Sequence, residues 1–329
     1  MVSPGTLRLL TEMADGAIDE CVPTIDEETG TVTYPVAAPE LDASDGLPEE
    51  VLESLARRDI VERAFERKVY RCPDCDGENM TFTTACPDCD SPHTVETELL
   101  EHTECGCVEP LAAFETEGNY GEYVCPGCET ALPSFDIDTK GHHRYVCRDC
   151  DERADQPAHR LRCRECLRVI EPRQAIERVC CRYSLGEAGR PWVETHLDAR
   201  EAIADALRGK GFDVAVDTTV TGPAGQKRPV HVFAEDDFLG DRVVAAVGEW
   251  PDTDDVSALR TAAQGVDARA VLVTTSGSIG ADAAALAADS DVAVMRPRED
   301  GTLERDVETG HAHGDRPTLI QRLTSAVRS

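Results

Sequence analysis

The pattern of hydrophobic and polar positions changes character several times along the chain. Residues 1–46 show no sustained periodicity and are predicted to be irregular, although the run TVTYPV resembles a short strand. Over 47–70, apolar residues recur at three- and four-residue steps after Pro48, a residue that suits the first turn of a helix. We therefore predict a helical lead-in over 47–70.

The next segment, 71–182, alternates short β-like strips with cysteine pairs. The strips MTFTT, GEYV and HRYV are too broken to build a large apolar core. Units this small usually need a metal or a disulfide for stability, so bound metal is expected to supply it. This segment is predicted to be three zinc ribbons in tandem.

Regular periodicity returns over 183–298. Ala199, Ile203 and Leu207 lie on one face of a predicted helix that ends at Gly209. The elements then follow in the order αβββαβαβ, which is typical of a small α/β domain with a mixed sheet. Residues 299–329 are predicted to be a polar tail with one short helix, TLIQRLTSAV. The fold class is therefore α+β multidomain, with three tandem zinc ribbons and a C-terminal α/β domain.

Acidic residues dominate the composition. The 329 residues include 64 Asp and Glu against 33 Lys and Arg, a net charge of −31, and the excess is dispersed along the chain. Dispersed acidity is expected of a protein from a salt-rich, haloarchaeon-like cytoplasm, where salt screens self-repulsion. The start of the chain lacks the features of a signal peptide, and no run of 18 apolar residues occurs. We expect a cytoplasmic protein without a membrane partner.

Cysteine usage gives the strongest chemical signal. Twelve of the fifteen cysteines lie between Cys72 and Cys166, and ten of these form five CxxC pairs. Cytoplasmic thiols are reduced, which disfavours disulfides, and repeated CxxC knuckles disfavour a single thiol-redox centre. Metal binding is therefore the remaining interpretation of these cysteines, and each pair of consecutive knuckles is predicted to form one site. The first site would consist of Cys72, Cys75, Cys86 and Cys89, and the third of Cys147, Cys150, Cys163 and Cys166.

The second site contains Cys125 and Cys128, and its other two ligands are ambiguous. The two remaining ligands are either His102 and Cys105 or Cys105 and Cys107. The first pair is favoured, because His102 and Cys105 are separated by two residues, as in a CxxC knuckle. Each site then has four protein ligands and no open position, which favours three structural Zn²⁺ ions over hydrolytic zinc. Iron in a rubredoxin-like site, and hence electron transfer, is the alternative.

A local excess of arginine lies near the last knuckles. Residues 140–182 contain 11 Lys and Arg against 7 Asp and Glu. Guanidinium groups suit bidentate contact with phosphate, so nucleic acid or an acidic protein is the expected partner. The alternative is that neighbouring acids neutralise these arginines. The candidate contact residues are Arg144, Arg148, Arg160, Arg162, Arg164 and Arg168.

The run from about Leu52 to Cys166 resembles the thaumarchaeal output domain family, an archaeal zinc-ribbon module. The resemblance rests on KVYRCPDC, ACPDC, HTECG, YVCPGC and YVCRDC with RCREC. It implies an output element of signal transduction and three zinc ions held by Cys72 through Cys166 with His102. It implies no biochemical activity, and no receiver domain is evident in the sequence.

The αβββαβαβ segment resembles the core of the restriction-endonuclease-like fold. Active members carry carboxylates, which bind magnesium, and a lysine at positions that here are His231, Ala246 and Gly248. The resemblance therefore implies a catalytically degenerate domain. We expect a non-enzymatic zinc-binding regulatory protein without a small-molecule substrate. The alternative is a metal-dependent nuclease with displaced ligands, namely Glu249 with Glu235, Asp236 or Asp237.

Overall fold

The structure, a computed structural model, describes residues 1–115, 123–132, 139–222, 225–236, 238–298 and 302–305, with only the backbone described at 139–143. The chain forms two compact units. The first comprises Met1–Ile25, Val32–Arg67 and Cys180–Ser329, and the second comprises Asp26–Thr31 and Lys68–Val179. Within the described ranges, no helix has the length and apolar character needed to cross a membrane.

Six α-helices and eighteen strands are assigned within the described residues. The helices are α1 (Pro4–Asp15), α2 (Pro48–Ala56), α3 (Leu111–Phe114), α4 (Gly189–Arg208), α5 (Thr253–Gly265) and α6 (Ala281–Asp289). The strands are β1 (Glu20–Cys21), β2 (Thr24–Ile25), β3 (Val32–Thr33), β4 (Val61–Arg71), β5 (Met80–Ala85), β6 (Thr94–His102), β7 (Val108–Pro110), β8 (Thr139–Cys147), β9 (Arg153–Ala154), β10 (Ala158–Cys163), β11 (Val169–Ile170), β12 (Ile176–Leu185), β13 (Asp213–Thr221), β14 (Lys227–Glu235), β15 (Arg242–Gly248), β16 (Arg269–Thr274), β17 (Ala293–Pro297) and β18 (Leu303–Arg305).

Helix α1 lies in the segment predicted to be irregular, so the prediction for 1–46 was wrong there. The Ser3 Oγ accepts a hydrogen bond from the Thr6 N–H, Pro4 occupies the first turn, and Gly16 ends the helix with a left-handed φ of 78°. These are ordinary start and stop signals. Leu10 and Met13 bury the apolar face of α1 in a core shared with α2.

The predicted helical lead-in over 47–70 is only half helical. Helix α2 begins at Pro48 as expected, but Val61–Arg71 is strand β4 and not a helix. Strand β4 lies beside β12 in a three-stranded sheet of order β1-β12-β4. Because β12 is more than a hundred residues further along the chain, local periodicity did not reveal this pairing.

The first unit contains a six-stranded mixed sheet of order β13-β14-β15-β16-β17-β18. Strands β13 to β15 run antiparallel, β15 to β17 parallel, and β18 antiparallel to β17. The predicted order αβββαβαβ is the order found, with β18 in addition. Strand β18 lies in the segment predicted to be a tail; the predicted helix TLIQRLTSAV lies outside the described residues.

Both faces of this sheet are covered by helices. Helix α4 contributes Ile203 and Leu207 to one apolar cluster. Helices α5 and α6 contribute Leu259 and Ala287 to a second cluster on the opposite face. Burial on both faces explains why β15 is apolar from Val243 to Val247 and does not alternate with polar residues.

The second unit contains two small sheets. One has the order β11-β10-β5 and the other β7-β6-β8-β9. In the first sheet Met80 lies opposite Cys163, and in the second Thr94 lies opposite Cys147. These two antiparallel pairings therefore bring distant parts of the chain together beside cysteines.

Candidate metal centres

Six knuckles in the second unit share one backbone geometry. In each, the N–H of the first ligand donates to the carbonyl of the residue five positions later, as from Cys72 to Gly77 at 2.9 Å and from His102 to Cys107 at 2.9 Å. The residue four positions after the first ligand has a positive φ in every knuckle; these residues are Asp76, Asp90, Gly106, Glu129, Asp151 and Leu167. His102 therefore begins a knuckle in the same way as the cysteines do.

The knuckles combine in a nested order and not in tandem. The ligand atoms within each set lie within 4.8 Å of one another. The three sets are Cys72, Cys75, Cys163 and Cys166; Cys86, Cys89, Cys147 and Cys150; and His102, Cys105, Cys125 and Cys128. All twelve predicted ligands are thus placed in clusters, but the predicted partners of the first and third sites were wrong.

Strand pairing determines which knuckles meet. Strand β5 follows the first knuckle and precedes the second, and it pairs antiparallel with β10, which precedes the sixth knuckle. One end of this pair therefore carries the first and sixth knuckles. A strand of six residues spans about 20 Å, so consecutive knuckles lie at opposite ends of β5. Tandem pairing was wrong because the intervening strand separates neighbouring knuckles.

The distances between ligand atoms fit a tetrahedral ion. A zinc–sulfur bond of about 2.3 Å places tetrahedral sulfurs about 3.8 Å apart. The Sγ atoms of Cys72 and Cys166 are 3.7 Å apart. The separation is 3.6 Å between Cys86 and Cys150. Each set also has four protein ligands, so the residues present fit a closed structural metal site.

The third set contains the predicted histidine. Nδ1 of His102 lies 3.2 Å from the Cys105 Sγ and 3.4 Å from the Cys128 Sγ, and the imidazole is buried. Cys107 is not in this set; its carbonyl accepts the His102 N–H, and its side chain lies against Gly127. A Cβ at Gly127 would lie 2.8 Å from the Cys107 Cβ, so glycine is needed for this close approach.

The knuckle backbone also stabilises thiolates. Hydrogen bonds from the backbone N–H groups of Asp149 and Cys150, together with thiol contacts, lower the pKa of Cys147 to about 7, although burial opposes this. Burial would raise the pKa of Cys72, but backbone N–H groups of Asp74 and Cys75 lower it to about 7. A thiolate is the form that binds metal, so the first cysteine of each of these two knuckles is in an environment that favours the metal-binding form.

The cysteines outside the sets are of a different kind. Cys21 and Cys180 are buried in the first unit, and burial raises the pKa of Cys21 to about 11. Cys181 is half-buried, and burial raises the pKa of its thiol as well. The thiols of Cys21 and Cys181 are therefore protonated and poorly nucleophilic at neutral pH.

The six candidate arginines divide into two groups. Three form ion pairs: Arg144 with Asp155 at 3.1 Å, Arg160 with Asp90 at 2.6 Å and Arg168 with Asp74 at 2.5 Å. The other three, Arg148, Arg162 and Arg164, are exposed and have no ion pair with any described residue. Half of the cluster is therefore neutralised by neighbouring acids.

The three cations without ion pairs lie close to metal ligands. Arg162 and Arg164 flank Cys163, and Arg148 follows Cys147. Arg162 lies on β10 directly opposite Thr81 and Val169 of the neighbouring strands. The rigid knuckle backbones thus hold these side chains at defined positions on the surface of the second unit.

In the first unit, the residues at the nuclease-like positions provide no carboxylate. His231, on β14, is fully buried, and burial lowers the pKa of His231 to about 3. Glu249 instead accepts hydrogen bonds from Trp192 Nε1 at 2.9 Å and from Arg58 at 2.8 Å.

The acids of the alternative nuclease site are far apart. Glu235 accepts a hydrogen bond from Arg242, at the start of β15, whereas Glu249 follows the end of that strand, about 20 Å away. Asp236 accepts hydrogen bonds from the backbone of residues 238 and 239; Asp237 lies outside the described residues. Within the described ranges, the metal-capable groups of three or more ligands are the three cysteine-rich sets.

Comparison with known proteins adds a family match. A family model described as thaumarchaeal output domain 1 matches residues 5–185, which is more than half of the chain. The match extends beyond the run from Leu52 to Cys166 in both directions, and it includes helix α1. None of the curated proteins compared with the chain matches it.

Two solved structures are distantly similar. One is the crystal structure of AF1548, a protein of unknown function, with 14% identity and a TM-score of 0.25; the similarity covers 31% of this chain and 58% of that one. The other is a complex of EndoMS with double-stranded DNA, with 11% identity and a TM-score of 0.26; the similarity covers 66% of this chain and 96% of that one. The chain thus spans little more than half the length of AF1548.

Proposed function

The chain belongs to the thaumarchaeal output domain 1 family, and from this premise we propose that it is a zinc-binding output protein of signal transduction that binds nucleic acid without catalysis. In this proposal the ligand sets of the second unit hold three Zn²⁺ ions. Zinc would supply a tetrahedral link between strand ends, and the surface residues would supply recognition.

The ligand sets support zinc as the metal. One set combines three thiolates with an imidazole, a combination frequent in structural zinc sites. Each set has four protein donors, so a bound ion keeps no position for a water or substrate. The apolar content of the ribbons is low, and metal binding is expected to contribute much of their folding free energy. Metal analysis of the purified protein distinguishes zinc from iron.

The observation that supports nucleic-acid binding is the group formed by Arg148, Arg162 and Arg164. In a chain of charge −31, an exposed arginine has many possible acidic neighbours, yet these three have no ion pair with any described residue. A guanidinium group donates paired hydrogen bonds in a geometry that matches phosphate oxygens. We propose that these three side chains contact the phosphate backbone.

The test is fluorescence anisotropy of the full zinc-loaded chain with labelled random duplex and single strands, measured over a range of KCl concentrations. The Arg162→Ala/Arg164→Ala double variant is expected to weaken binding and to reduce the magnitude of the salt slope by about one for each phosphate that it no longer neutralises. The matched control is Arg144→Ala/Arg168→Ala, in which both replaced arginines form ion pairs. Its effect is expected to be smaller.

Two results would contradict the nucleic-acid proposal. One is the absence of binding to either form of DNA or RNA at the lowest salt at which circular dichroism shows a folded chain. The other is an equal loss of binding in the two double variants. Either result redirects the proposal to an acidic protein partner, which the same arginines could also contact.

The proposal that the protein is non-catalytic rests on the buried His231 and on the separation of Glu235 from Glu249. Plasmid nicking in the presence of Mg²⁺ or Mn²⁺ tests it. We expect no nicking above a buffer control. Nicking that is abolished in Glu249→Ala would establish the nuclease alternative and overturn this part of the proposal.

A further inference from the structure

A pocket of about 730 Å³ opens within the first unit. Its walls come from the N-terminal residues, from α2, from the start of β14 and from α5. This volume is in the range of pockets that hold small molecules. None of the functions considered so far uses it.

The pocket is lined by cations that lack acidic partners. Lys227 and Arg228, at the start of β14, line it, and neither forms an ion pair with a described residue. Lys227 is one of only four lysines in the chain. Arg58 also lines the pocket; it donates one hydrogen bond to Glu249 and retains further N–H donors.

The acids of the pocket wall are already engaged by this chain. Both carboxylate oxygens of Asp255 accept from the N-terminal ammonium group at 2.7 Å. Asp45 accepts the backbone N–H of Asp42 at 2.8 Å, and Glu50 accepts that of Leu47 at 3.4 Å. The backbone donors leave Asp45 and Glu50 negatively charged, but four cationic groups, namely the N-terminal ammonium, Arg58, Lys227 and Arg228, line the pocket against three carboxylates, so the lining carries a small net positive charge in a strongly acidic chain.

His231 and Ala246 both line the pocket. The Nδ1 of His231 accepts a hydrogen bond from the Val247 N–H at 3.4 Å. A neutral imidazole whose Nδ1 accepts carries its proton on Nε2, so the ring keeps one donor. The small Ala246 leaves space beside it.

We propose that this pocket binds a phosphorylated small molecule of nucleotide size, with Lys227 and Arg228 contacting the phosphate. A cationic wall with a small number of placed donors is the combination that recognises a phosphate ester. This site is independent of the nucleic-acid surface on the second unit. Binding here would make the first unit a ligand-sensing part of the protein.

Isothermal titration calorimetry on the full zinc-loaded chain tests the proposal with four probes: adenosine, AMP, ATP and pyrophosphate. AMP or ATP is expected to bind, and adenosine is expected to bind at least about tenfold more weakly, because it lacks the charged hydrogen bonds. Arg228→Ala is expected to weaken nucleotide binding by about tenfold or more. Arg190→Ala serves as the matched control, because Arg190 is exposed on α4 of the same unit and does not line the pocket.

A second variant guards against misfolding of the first. Ala258 is exposed on α5 and lines the pocket, so Ala258→Trp is expected to fill the space and abolish binding while leaving the helix intact. Four results would overturn the proposal: no heat from any phosphorylated probe, equal binding of adenosine and AMP, unchanged binding in both variants, or binding of a 5′-phosphorylated oligonucleotide with none of free nucleotide. The last result would assign the pocket to a nucleic-acid end.

Discussion

The nested arrangement of the knuckles can be tested by removing them two at a time. One variant replaces the cysteines of the first and sixth knuckles, Cys72, Cys75, Cys163 and Cys166, by serine. The matched variant replaces the first and second, at Cys72, Cys75, Cys86 and Cys89. Both carry four serines. In the nested arrangement the first variant loses one complete ligand set, whereas the second disrupts two.

The structure fixes how large the difference should be. The first variant keeps two complete sets and should bind two zinc ions, and the matched variant keeps one complete set and should bind one tightly. The remaining half-sites cannot readily combine, because β10 keeps its neighbouring knuckles about 20 Å apart while tetrahedral sulfurs require about 3.8 Å. Each structural zinc ion contributes on the order of 10 kcal/mol to folding, so the matched variant should also be the less stable of the two.

Native mass spectrometry of the two purified variants, with elemental analysis for zinc, gives the stoichiometry directly. Wild-type protein should bind three ions. If the variant without the first and sixth knuckles binds one ion and the matched variant binds two, the knuckles pair in tandem and the nested arrangement is refuted. Equal stoichiometry in the two variants would contradict it as well.

Two further predictions concern single residues. His102→Ala should reduce the zinc content from three ions to two while Cys107→Ser keeps three, as measured by the same elemental analysis; the reverse result would make Cys107 the ligand. Burial lowers the pKa of His196 to about 4, and in the unfolded chain it is near 6.5. The unfolded state therefore binds more protons between these values, and stability should fall by up to about 3 kcal/mol as the pH drops through that window, with no such effect above it. Urea unfolding followed by tryptophan fluorescence measures this change for the first unit, which contains both tryptophans. Trp192 stacks on His196, with the ring centroids 3.6 Å apart, so its fluorescence reports on this region. An unchanged pH dependence in His196→Gln would contradict the assignment.

Local signals predicted what depends on nearby residues. Each knuckle is specified by two ligands three positions apart and a turn that closes within five residues, so all twelve ligands could be identified from spacing. The αβββαβαβ order was equally accessible, because both faces of the sheet are buried and its central strands β15 and β16 are nearly continuous apolar runs. Helix α1 was missed, although Ser3, Pro4 and Gly16 are local start and stop signals for it.

The features that could not be predicted from the sequence depend on the pairing of strands that are far apart in the chain. The partner of each knuckle depends on the pairing of β5 with β10 and of β6 with β8, and the spacing of nearby residues determines neither register. The same pairing determines the ion pair of Arg168 with Asp74, because those residues belong to the sixth and first knuckles. The nested pairing of the knuckles therefore determines which arginines form ion pairs, and the number of charged residues in the segment does not predict it.

Nesting also has a consequence for the order in which the second unit can assemble. The ligands Cys105 and Cys125 are 20 residues apart, Cys89 and Cys147 are 58 apart, and Cys75 and Cys163 are 88 apart. Loop-closure entropy rises with loop length, so the innermost set closes at the lowest cost. Each closed set then shortens the free loop that the next must close, a saving of about 1 kcal/mol for the outermost set. Zinc should thus bind the innermost set first and the outermost set last. The outermost ion would be held beside Arg162 and Arg164, so the surface that carries these two arginines should be the last part of the second unit to become ordered.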